Sequence, residues 1–441
     1  MLNLFGTKTR KECTGLNRRD FLTVGALGAA GLTLGDLLKA RSNAAEAGRP
    51  TRDTSVIWLW LGGGPTHVET FDPKMTAPAE FRSMVGAVQT AVPGLHIGGL
   101  FPQMGRMANR MAFVRSFAHG NSGHTGGTHY VMTGVDHPPA DAGQPPIKPS
   151  LGSMTARVRG ANSPSGLPTY VRISGLYADG PHWLGSAYAP FDTSGQARNN
   201  INLNQPLERV NDRRALLRQF DTVNRQIDRS GVMAGLDAFD QQAVNLLLGR
   251  AREAFDVERE DPRTRDRYTQ GTAGLGANLL LARRLCEAGA GFVTMNYSNS
   301  SQGWDMHNDM LPQLQQACPP MDRAIAVFLE DLERRGLSEK ILLVITGEFG
   351  RTPRINGSRG RDHWGPLCTL ALAGGGLRMG QAVGDSSARV EIPRTNPIRP
   401  KDLMATIFHV LGISQQTQYQ DQTGRPTYLL PEGAQPIADL I

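Results

Sequence analysis

The sequence predicts an α/β fold, a doubly wound and mostly parallel sheet between helical layers, and three observations lead to this prediction. The chain has 441 residues, of which 39% are apolar and 20% charged, which is enough to build a large core. Short, nearly continuous apolar runs recur along the chain, and such runs are typical of strands that are covered on both faces. Segments with helical periodicity separate these runs. We therefore expect a single large domain over residues 48–441.

The first 47 residues are predicted to be an export signal rather than part of the domain. The segment Asn17–Leu22 (NRRDFL) resembles the S/T-R-R-x-F-L-K pattern of twin-arginine signals. The apolar stretch that follows has about 15 residues, which is short for a membrane span of roughly 20. Small residues suit cleavage after Ala44 or Ala47. A retained N-terminal anchor and a chance arginine pair are the alternatives. We expect a periplasmic or otherwise extracytoplasmic protein with no membrane span after cleavage.

The charge distribution excludes a nucleic-acid-binding protein. The net charge is +7, and residues 1–47 carry seven Lys and Arg against four Asp and Glu. The surplus in the predicted mature chain is therefore small and spread out, with no concentrated basic stripe. An anionic small molecule or polysaccharide remains compatible with it.

Strands and helices are predicted from the two kinds of periodicity. Five apolar runs are predicted strands: 55–61, 111–114, 292–297, 341–346 and 369–373. Apolar residues at helical spacing predict helices through 321–332 and 403–410, the second beginning near Pro400. A charged segment with helical spacing predicts a helical insertion at about 205–270, and residues 136–166 and 375–400 are predicted to be long loops. Cys286 follows an amphipathic helical run and Cys368 begins an apolar strand, so both are expected in the core, and the cysteines lack metal-ligand spacing.

Polar clusters directly follow the predicted strands. In an open parallel sheet, ligands bind beyond the carboxyl ends of the strands, so these clusters are expected to meet at one edge. The glycine loop after the first strand does not complete the dinucleotide pattern G-x-G-x-x-G, because His67 occupies the last position. The clusters are 62–67, 115–129, 303–309, 347–354 and 361–364.

Several residues in these clusters are candidate metal ligands. Asp305 and His307 are separated by one residue, so both side chains point to the same side of an extended chain. Glu348 and His363 are predicted to complete a mixed oxygen and nitrogen site, and His67 is a further candidate. Such a site suits zinc, manganese or iron, whereas more carboxylates would favour calcium or magnesium.

Each of these residues has a structural alternative. Asp305 could cap a turn beside a surface histidine, and Glu348 could pair with Arg351 or Arg354. His363 could form a structural pair with Asp362, and His67 could bond to the backbone.

The segment 119–129 (HGNSGHTGGTH) supplies candidate nucleophiles. A hydroxyl beside a metal can be activated as a nucleophile, and a helix N-terminus favours a bound anion. Ser122, Thr125 and Thr128 are the candidates, and the pattern predicts a loop that enters a helix near Thr128. The alternative is a glycine-rich loop whose hydroxyls cap the helix.

At this point the motifs resemble a known family. Five segments are similar to those of the exported bacterial family with domain of unknown function 1501 (DUF1501). They are GGGPTHVETFDPK, HGNSGHTGGTHYVMTG, LLARRLCEAGAGFVTMNY, GWDMHND and ITGEFGRTPRINGSRGRDHW. That family looks like a distant relative of the alkaline phosphatase and sulfatase superfamily. The resemblance implies an alkaline-phosphatase-like sheet with one or two metal ions beside a Ser, Thr or modified Cys nucleophile.

By order along the chain, the resemblance implies that Asp305 and His307 match a first pair of ligands, Glu348 stands at the second position and His363 matches the final histidine. Phe349 follows Glu348 where the superfamily has His, so a second metal is unsupported. The sulfatase core C/S-x-P-x-R is also missing.

The sequence therefore predicts an exported metal-dependent hydrolase of phosphate or sulfate esters. In this hypothesis a hydroxyl or a water attacks the ester, and Arg351 or Arg354 holds the anionic group. The rival hypothesis is a non-catalytic cell-envelope protein that binds a polysaccharide or a partner protein through the same edge.

Overall fold

A computed structural model describes residues 52–193, 250–300 and 302–441. The predicted export signal and residues 205–249 of the predicted insertion lie outside this part, including its helical positions Leu216, Phe220, Val223 and Ile227. Residues 250–269 are mostly helical. Two compact units divide the chain: one contains the described residues Gln416–Leu429, and the other contains the remaining described residues.

The bounds of the elements are as follows. The α-helices are α1 His67–Thr70, α2 Pro102–Arg106, α3 His124–Thr133, α4 Leu151–Arg159, α5 Pro262–Thr269, α6 Leu275–Glu287, α7 Met310–Arg334 and α8 Pro400–Val410. The strands are β1 Ser55–Trp60, β2 Ala87–Gln89, β3 His96–Gly98, β4 Met111–Val114, β5 Tyr170–Arg172, β6 Phe191–Asp192, β7 Phe292–Asn296, β8 Ile341–Thr346, β9 Gly350–Arg351, β10 His363–Trp364, β11 Leu370–Gly374, β12 Gln381–Val383, β13 Gln418–Gln420 and β14 Pro426–Tyr428. Short 3₁₀ helices lie at Ala108–Arg110, Pro138–Ala142, His182–Leu184, Ser186–Tyr188, Arg250–Phe255, Val257–Arg259 and Ala438–Leu440.

The centre of the larger unit is a sheet of eight strands in the order β12-β4-β11-β8-β1-β7-β5-β6. Strand β11 runs antiparallel to both of its neighbours, and the remaining pairs are parallel. The predicted α/β class with a mostly parallel sheet is confirmed. The smaller unit contains the antiparallel pair β13 and β14.

All five predicted strands are present, at β1, β4, β7, β8 and β11. The prediction that residues 136–166 form a loop is wrong, because α4 lies within them. The Ser150 hydroxyl accepts a hydrogen bond from the Ser153 N–H at 3.3 Å and caps this helix. Its buried apolar face is built around Leu151 and Met154 among small residues, which made the helical pattern weak.

Both faces of the sheet are covered, which explains the continuous hydrophobicity of the strands. Alternate residues of β1, including Ile57 and Leu59, share one core cluster with residues of α6 and α7. On β1 the intervening residue Trp58 packs against Phe292, with 6.1 Å between ring centroids. The Phe292 ring in turn meets Tyr170 edge-on at 5.6 Å, so aromatic side chains pack along the second face.

Two further features concern the core and the surface. Cys286, Cys318 and Cys368 are free and buried, and burial raises the pKa of the Cys286 and Cys368 thiols to about 12. Within the described residues, none of the helices combines the length and the apolar character needed to cross a bilayer.

Candidate metal centre

Five loops meet at one edge of the sheet. Strands β4, β8, β1 and β7 point the same way, so their carboxyl ends lie together. Because β11 runs in the opposite direction, its amino end lies at this same edge and brings the 361–364 segment there. The edge predicted from the polar clusters is therefore where the loops carrying His124, Asp305 and His363 come together.

Three imidazole rings surround the Asp305 carboxylate. The Nε2 atoms of His307 and His363 each lie 3.0 Å from Asp305 Oδ1 and 3.0 Å from each other. The Nε2 atom of His124 lies 3.4 Å from Asp305 Oδ2. The ligand atoms of His124, Asp305 and His363 all lie within 4.8 Å of one another.

The opposite ring nitrogen of each histidine is held by an oxygen. His124 Nδ1 lies 2.8 Å from Glu348 Oε1, and His307 Nδ1 lies 2.9 Å from Asp362 Oδ1. His363 Nδ1 lies 3.0 Å from the backbone carbonyl of Ser122. A carbonyl or ionised carboxylate oxygen only accepts hydrogen bonds, so Nδ1 carries the proton in each neutral ring. The Nε2 lone pairs therefore point toward Asp305.

This donor set fits a metal ion. Lone pairs and a carboxylate in mutual contact repel one another unless a cation or a proton lies between them. Metal-bound histidines characteristically donate their other N–H to a carboxylate or a backbone carbonyl, and all three rings have this arrangement. Three nitrogens and one carboxylate are ligands that zinc, manganese and iron accept, whereas calcium and magnesium prefer oxygen.

The charges of the centre follow from its contacts. Burial favours the neutral form of the Asp305 carboxyl, but the hydrogen bond and the charge of Arg351 outweigh this and lower its pKa to about 2. The hydrogen bond to Glu348 raises the pKa of His124. Burial lowers the pKa of His363. The carboxylates of Glu348 and Asp305 therefore stabilise positive charge at His124.

Arg351 does not act as the predicted clamp for an anionic ester. Its Nη2 contacts Asp305 Oδ1 at 2.5 Å and also donates to the Gly63 carbonyl. Its Nε donates to the Gly64 carbonyl at 2.8 Å, and Nη1 donates to the Arg361 carbonyl at 3.1 Å and lies 3.4 Å from His307 Nε2. Protein oxygens take four of the five N–H groups of this side chain, which is 1% exposed, and the fifth, on Nη1, lies toward His307 Nε2. A guanidinium held in this way is not free to clamp an anionic ester.

The glycine loop after β1 has a packing role. The backbone of Gly63 has φ of +112°, and a Cβ at this position would lie 2.4 Å from the Asp305 backbone nitrogen. The Gly63 N–H donates to Glu348 Oε1 at 2.8 Å. Glycine therefore lets the first loop pack directly against the loop that carries Asp305.

The other predicted ligands lie in different places. Asp305, His307 and His363 are together, whereas Glu348 stands behind the His124 ring as its hydrogen-bond acceptor and not as a member of the central group. The His67 ring lies outside that group: it is buried, its Nε2 is 3.1 Å from the Val390 carbonyl, and burial lowers its pKa to about 4. The backbone-bonded alternative for His67 is the one that the structure shows.

The three candidate hydroxyls are each bonded elsewhere. Ser122 Oγ accepts from the Gly365 N–H at 2.9 Å, and Thr125 Oγ1 donates to Asp141 Oδ1 at 2.8 Å. Thr128 Oγ1 donates to the His124 carbonyl at 2.6 Å, one helical turn back. Helix α3 begins at His124, one turn before the predicted start near Thr128.

His124 was not among the predicted ligands. The segment 119–129 contains three histidines, at 119, 124 and 129, but the predicted chemistry lay only with the hydroxyls between them. His119 and His129 are buried, and burial lowers the pKa of each to about 4. The usable signal was the position of His124 after Gly123, where a helix that starts at the edge of the sheet exposes its first side chain.

The comparisons with known proteins are as follows. The model of the family described as "Protein of unknown function (DUF1501)" matches residues 53–441. No curated protein matches the chain. Similar solved structures include the lipoteichoic acid synthase LtaP from Listeria monocytogenes, with a TM-score of 0.37 and 10% identity over 86% of this chain and 78% of that one.

Two more structures have comparable scores. The PsFucS1 sulfatase from Pseudoalteromonas sp. has a TM-score of 0.38 and 13% identity over 85% of this chain and 70% of that one. The alkaline phosphatase from the Antarctic bacterium TAB5 has a TM-score of 0.36 and 12% identity over 83% of this chain and all (100%) of that one. TM-scores this low say nothing about activity.

Proposed function

This chain belongs to the DUF1501 family, and we propose that it binds a divalent transition metal at the edge of its sheet and hydrolyses phosphate or sulfate esters outside the cytoplasm. One observation carries the proposal: three Nε2 atoms face the Asp305 carboxylate while each Nδ1 is held by an oxygen. His124, Asp305 and His363 would hold the ion, with His307 as a fourth ligand. Zinc, manganese and iron suit this set better than calcium or magnesium.

The exposure of the ligands favours a catalytic centre over a structural one. The side chains of His124, Asp305, His307 and His363 are between 25% and 42% exposed, whereas Glu348 and Arg351 behind them are at most 4% exposed. Structural metal sites are closed, and catalytic sites keep a position open to substrate. A rigid buried layer under an open ligand layer suits catalysis.

The residues of the chain have distinct roles in this proposal. Glu348, Asp362 and the Ser122 carbonyl orient the three rings, and Arg351 fixes one oxygen of Asp305. A bound metal would supply positive charge to polarise the ester oxygen and to acidify water. Because the hydroxyls of Thr125 and Thr128 donate to Asp141 and to the His124 carbonyl, the attacking group in this proposal is a water or the Ser122 hydroxyl, which accepts from the Gly365 N–H.

The experiment is metal analysis combined with turnover. Protein exported natively should contain about one equivalent of a transition metal and hydrolyse a generic aryl phosphate or aryl sulfate in a chelator-sensitive way. Asp305→Asn and His363→Ala should lose both metal and turnover. His96→Ala is the matched control, because that histidine is exposed and lies outside the centre. Native protein with no bound metal and no metal-stimulated turnover would refute the proposal.

A second candidate, a non-catalytic protein that binds an envelope polysaccharide or a partner protein, has one observation in its favour. Arg351 and two of the three candidate hydroxyls, those of Thr125 and Thr128, are engaged within the protein, which leaves only the exposed Arg354 and the Ser122 hydroxyl of the groups predicted to act on a substrate. Stoichiometric metal without turnover on either ester class, together with binding to an anionic polysaccharide, would favour this candidate.

We also propose export by the twin-arginine route, on the basis of Arg18 and Arg19 before the apolar stretch. Changing both residues to lysine should retain the protein in the cytoplasm, measured by cell fractionation. Unchanged export of that variant would count against this route.

A further inference from the structure

A buried ion pair adjoins the metal centre. Arg361 directly precedes Asp362 and His363 in the chain, and its guanidinium faces the carboxylate of Glu69 in α1. Arg361 Nε lies 3.1 Å from Glu69 Oε2, and Nη2 lies 2.9 Å from Oε1. Both side chains are 0% exposed.

The remaining contacts of Arg361 connect several loops. Its guanidinium donates to the backbone carbonyls of Phe81, Arg82, Thr352 and Pro353. Its own N–H donates to the Met306 carbonyl at 3.2 Å, and its carbonyl accepts from Arg351 at 3.1 Å. One buried residue therefore links the loop after β8, the loop that carries Asp305 and His307, and the segment that follows α1.

We propose that Arg361, held by Glu69, is a positioning residue of the metal centre. It fixes the backbone from which His363 reaches Asp305 and from which Asp362 orients the His307 ring. The inference rests on the proposed function, namely that these side chains bind a metal. It adds a buried pair, outside the set of ligands, on which the ligand geometry depends.

The energetics of buried ion pairs support a positioning role. Desolvation offsets most of the attraction within such a pair, so a buried pair is weak evidence for a role in stability alone. Here two of the carbonyls that the guanidinium contacts, those of Thr352 and Pro353, directly follow Arg351, which itself contacts Asp305. The packing is also close, because a Cβ on Gly360 would lie 2.2 Å from the His307 carbonyl carbon.

The test compares Arg361→Lys and Glu69→Gln with a control at another buried pair. Arg361→Lys keeps the charge but loses the planar fork, and Glu69→Gln keeps an acceptor but loses the charge. Arg283→Lys is the control, because Arg283 is 1% exposed and pairs with Glu260 and Asp331 among α5, α6 and α7. Cobalt(II) is the probe: titration gives its Kd, and its visible absorption spectrum reports the ligand geometry.

The two test variants should weaken cobalt binding by about 10-fold to 100-fold and change the absorption spectrum. Arg283→Lys should bind cobalt with unchanged Kd and spectrum, even where its melting temperature falls. If Arg361→Lys does not fold, Glu69→Gln and the double variant Glu69→Met/Arg361→Met take its place, since a buried apolar pair often retains stability.

The outcomes separate this inference from the proposed function. Wild-type affinity and spectrum in the folded test variants would overturn the positioning role and leave the metal centre standing. An equal loss in Arg283→Lys would also overturn it, because the effect would then be one of general stability. A wild-type protein that binds neither cobalt nor zinc would remove the proposed function and this inference together.

Discussion

Replacing Glu348 with glutamine separates the two roles that this residue could have in the centre. The structure places its carboxylate behind the His124 ring, where Oε1 accepts hydrogen bonds from His124 Nδ1 and from the Gly63 N–H, both at 2.8 Å. Glutamine keeps an oxygen acceptor in that position and removes the negative charge. A metal ligand and a residue that orients a ligand respond differently to this change.

The expected magnitude follows from these contacts. The Glu348 side chain is 4% exposed, so little solvent screens its bond to His124. A hydrogen bond to a charged group contributes about 1.5–3 kcal/mol and a neutral one about 0.5–1.5 kcal/mol. The difference of about 1–1.5 kcal/mol corresponds to roughly tenfold in metal affinity. Residues that orient metal ligands typically give changes of about 10-fold to 100-fold, so we expect a loss in the lower part of that range.

The assay is competition of zinc between the protein and a chromophoric chelator, with both proteins measured at the same pH. Asp305→Asn serves as the ligand-loss reference and should bind far more weakly than Glu348→Gln. Within the described part of the chain, Glu348 Oε2 is buried without a hydrogen-bond partner, so the new amide also lacks one there. Melting curves should therefore be recorded to confirm that the variant is folded at the assay temperature. If Glu348→Gln loses zinc binding as completely as Asp305→Asn, the reasoning is refuted, because Glu348 would then be a ligand. If the zinc Kd of Glu348→Gln is unchanged, Glu348 does not orient His124.

Three further predictions concern packing and charge. Gly63→Ala should weaken zinc binding and destabilise the fold, because the new Cβ would lie 2.4 Å from the Asp305 backbone nitrogen at a positive φ. Gly94→Ala is the control: it is also at positive φ but faces open space, so it should destabilise the fold without changing zinc binding. Equal zinc affinities of the two variants would contradict this prediction. Asp322→Ala should lower the free energy of unfolding by about 2–4 kcal/mol in denaturant melts, because it removes the buried acceptor of two N–H groups at the start of α2. A loss below about 1 kcal/mol would be inconsistent with this role of Asp322. Burial favours the neutral form of Glu260, but the hydrogen bond and charge of Arg283 outweigh it and lower the pKa of Glu260 from 4.5 to about 2. The ionised carboxylate therefore stabilises the fold above pH 4.5, and this stabilisation is lost as the pH falls toward 2. Glu260→Gln should therefore flatten the dependence of stability on pH in that interval, and an unchanged slope would count against the ion pair.

The sheet could be predicted because burial on both faces gives strands a local signal. The run Ile341–Thr346 is apolar at nearly every position since helices cover both sides, and the same holds for Ser55–Trp60. The direction of β11 has no such signal: its residues are as apolar as those of β8, and only the connection through 347–369 decides that it runs antiparallel. Helix α4 was missed because small residues dilute its apolar face.

The site was predictable in location but not in detail. Polar residues after strands indicated the edge, since chain order fixes where strands end. Which atoms face inward depends on partners distant in sequence: Ser122 is 241 positions from His363, and Glu348 is 224 positions from His124. The sequence placed Glu348 among the ligands by its order along the chain, whereas the turn after β8 places the carboxylate behind a ring contributed by another loop. Of the two arginines predicted to hold an anionic ester, Arg351 is engaged within the protein for the same reason, because the carbonyls that it contacts come from Gly63, Gly64 and Arg361.

If the centre binds a metal as proposed, these long-range partners determine when the ion can be selected. The three ring orientations depend on acceptors in three separate loops, and in an unfolded chain those loops are far apart, so the nitrogen-rich set exists only after the sheet has formed. An unfolded chain would therefore offer scattered histidines and carboxylates with little preference among available ions. A pathway that moves folded proteins would let the centre assemble and take its metal in the cytoplasm before transport. If the chain uses the twin-arginine route as proposed, protein rerouted through a pathway for unfolded chains should carry a different metal content from the native export product. Identical metal content in the two products would show that the centre selects its ion after transport.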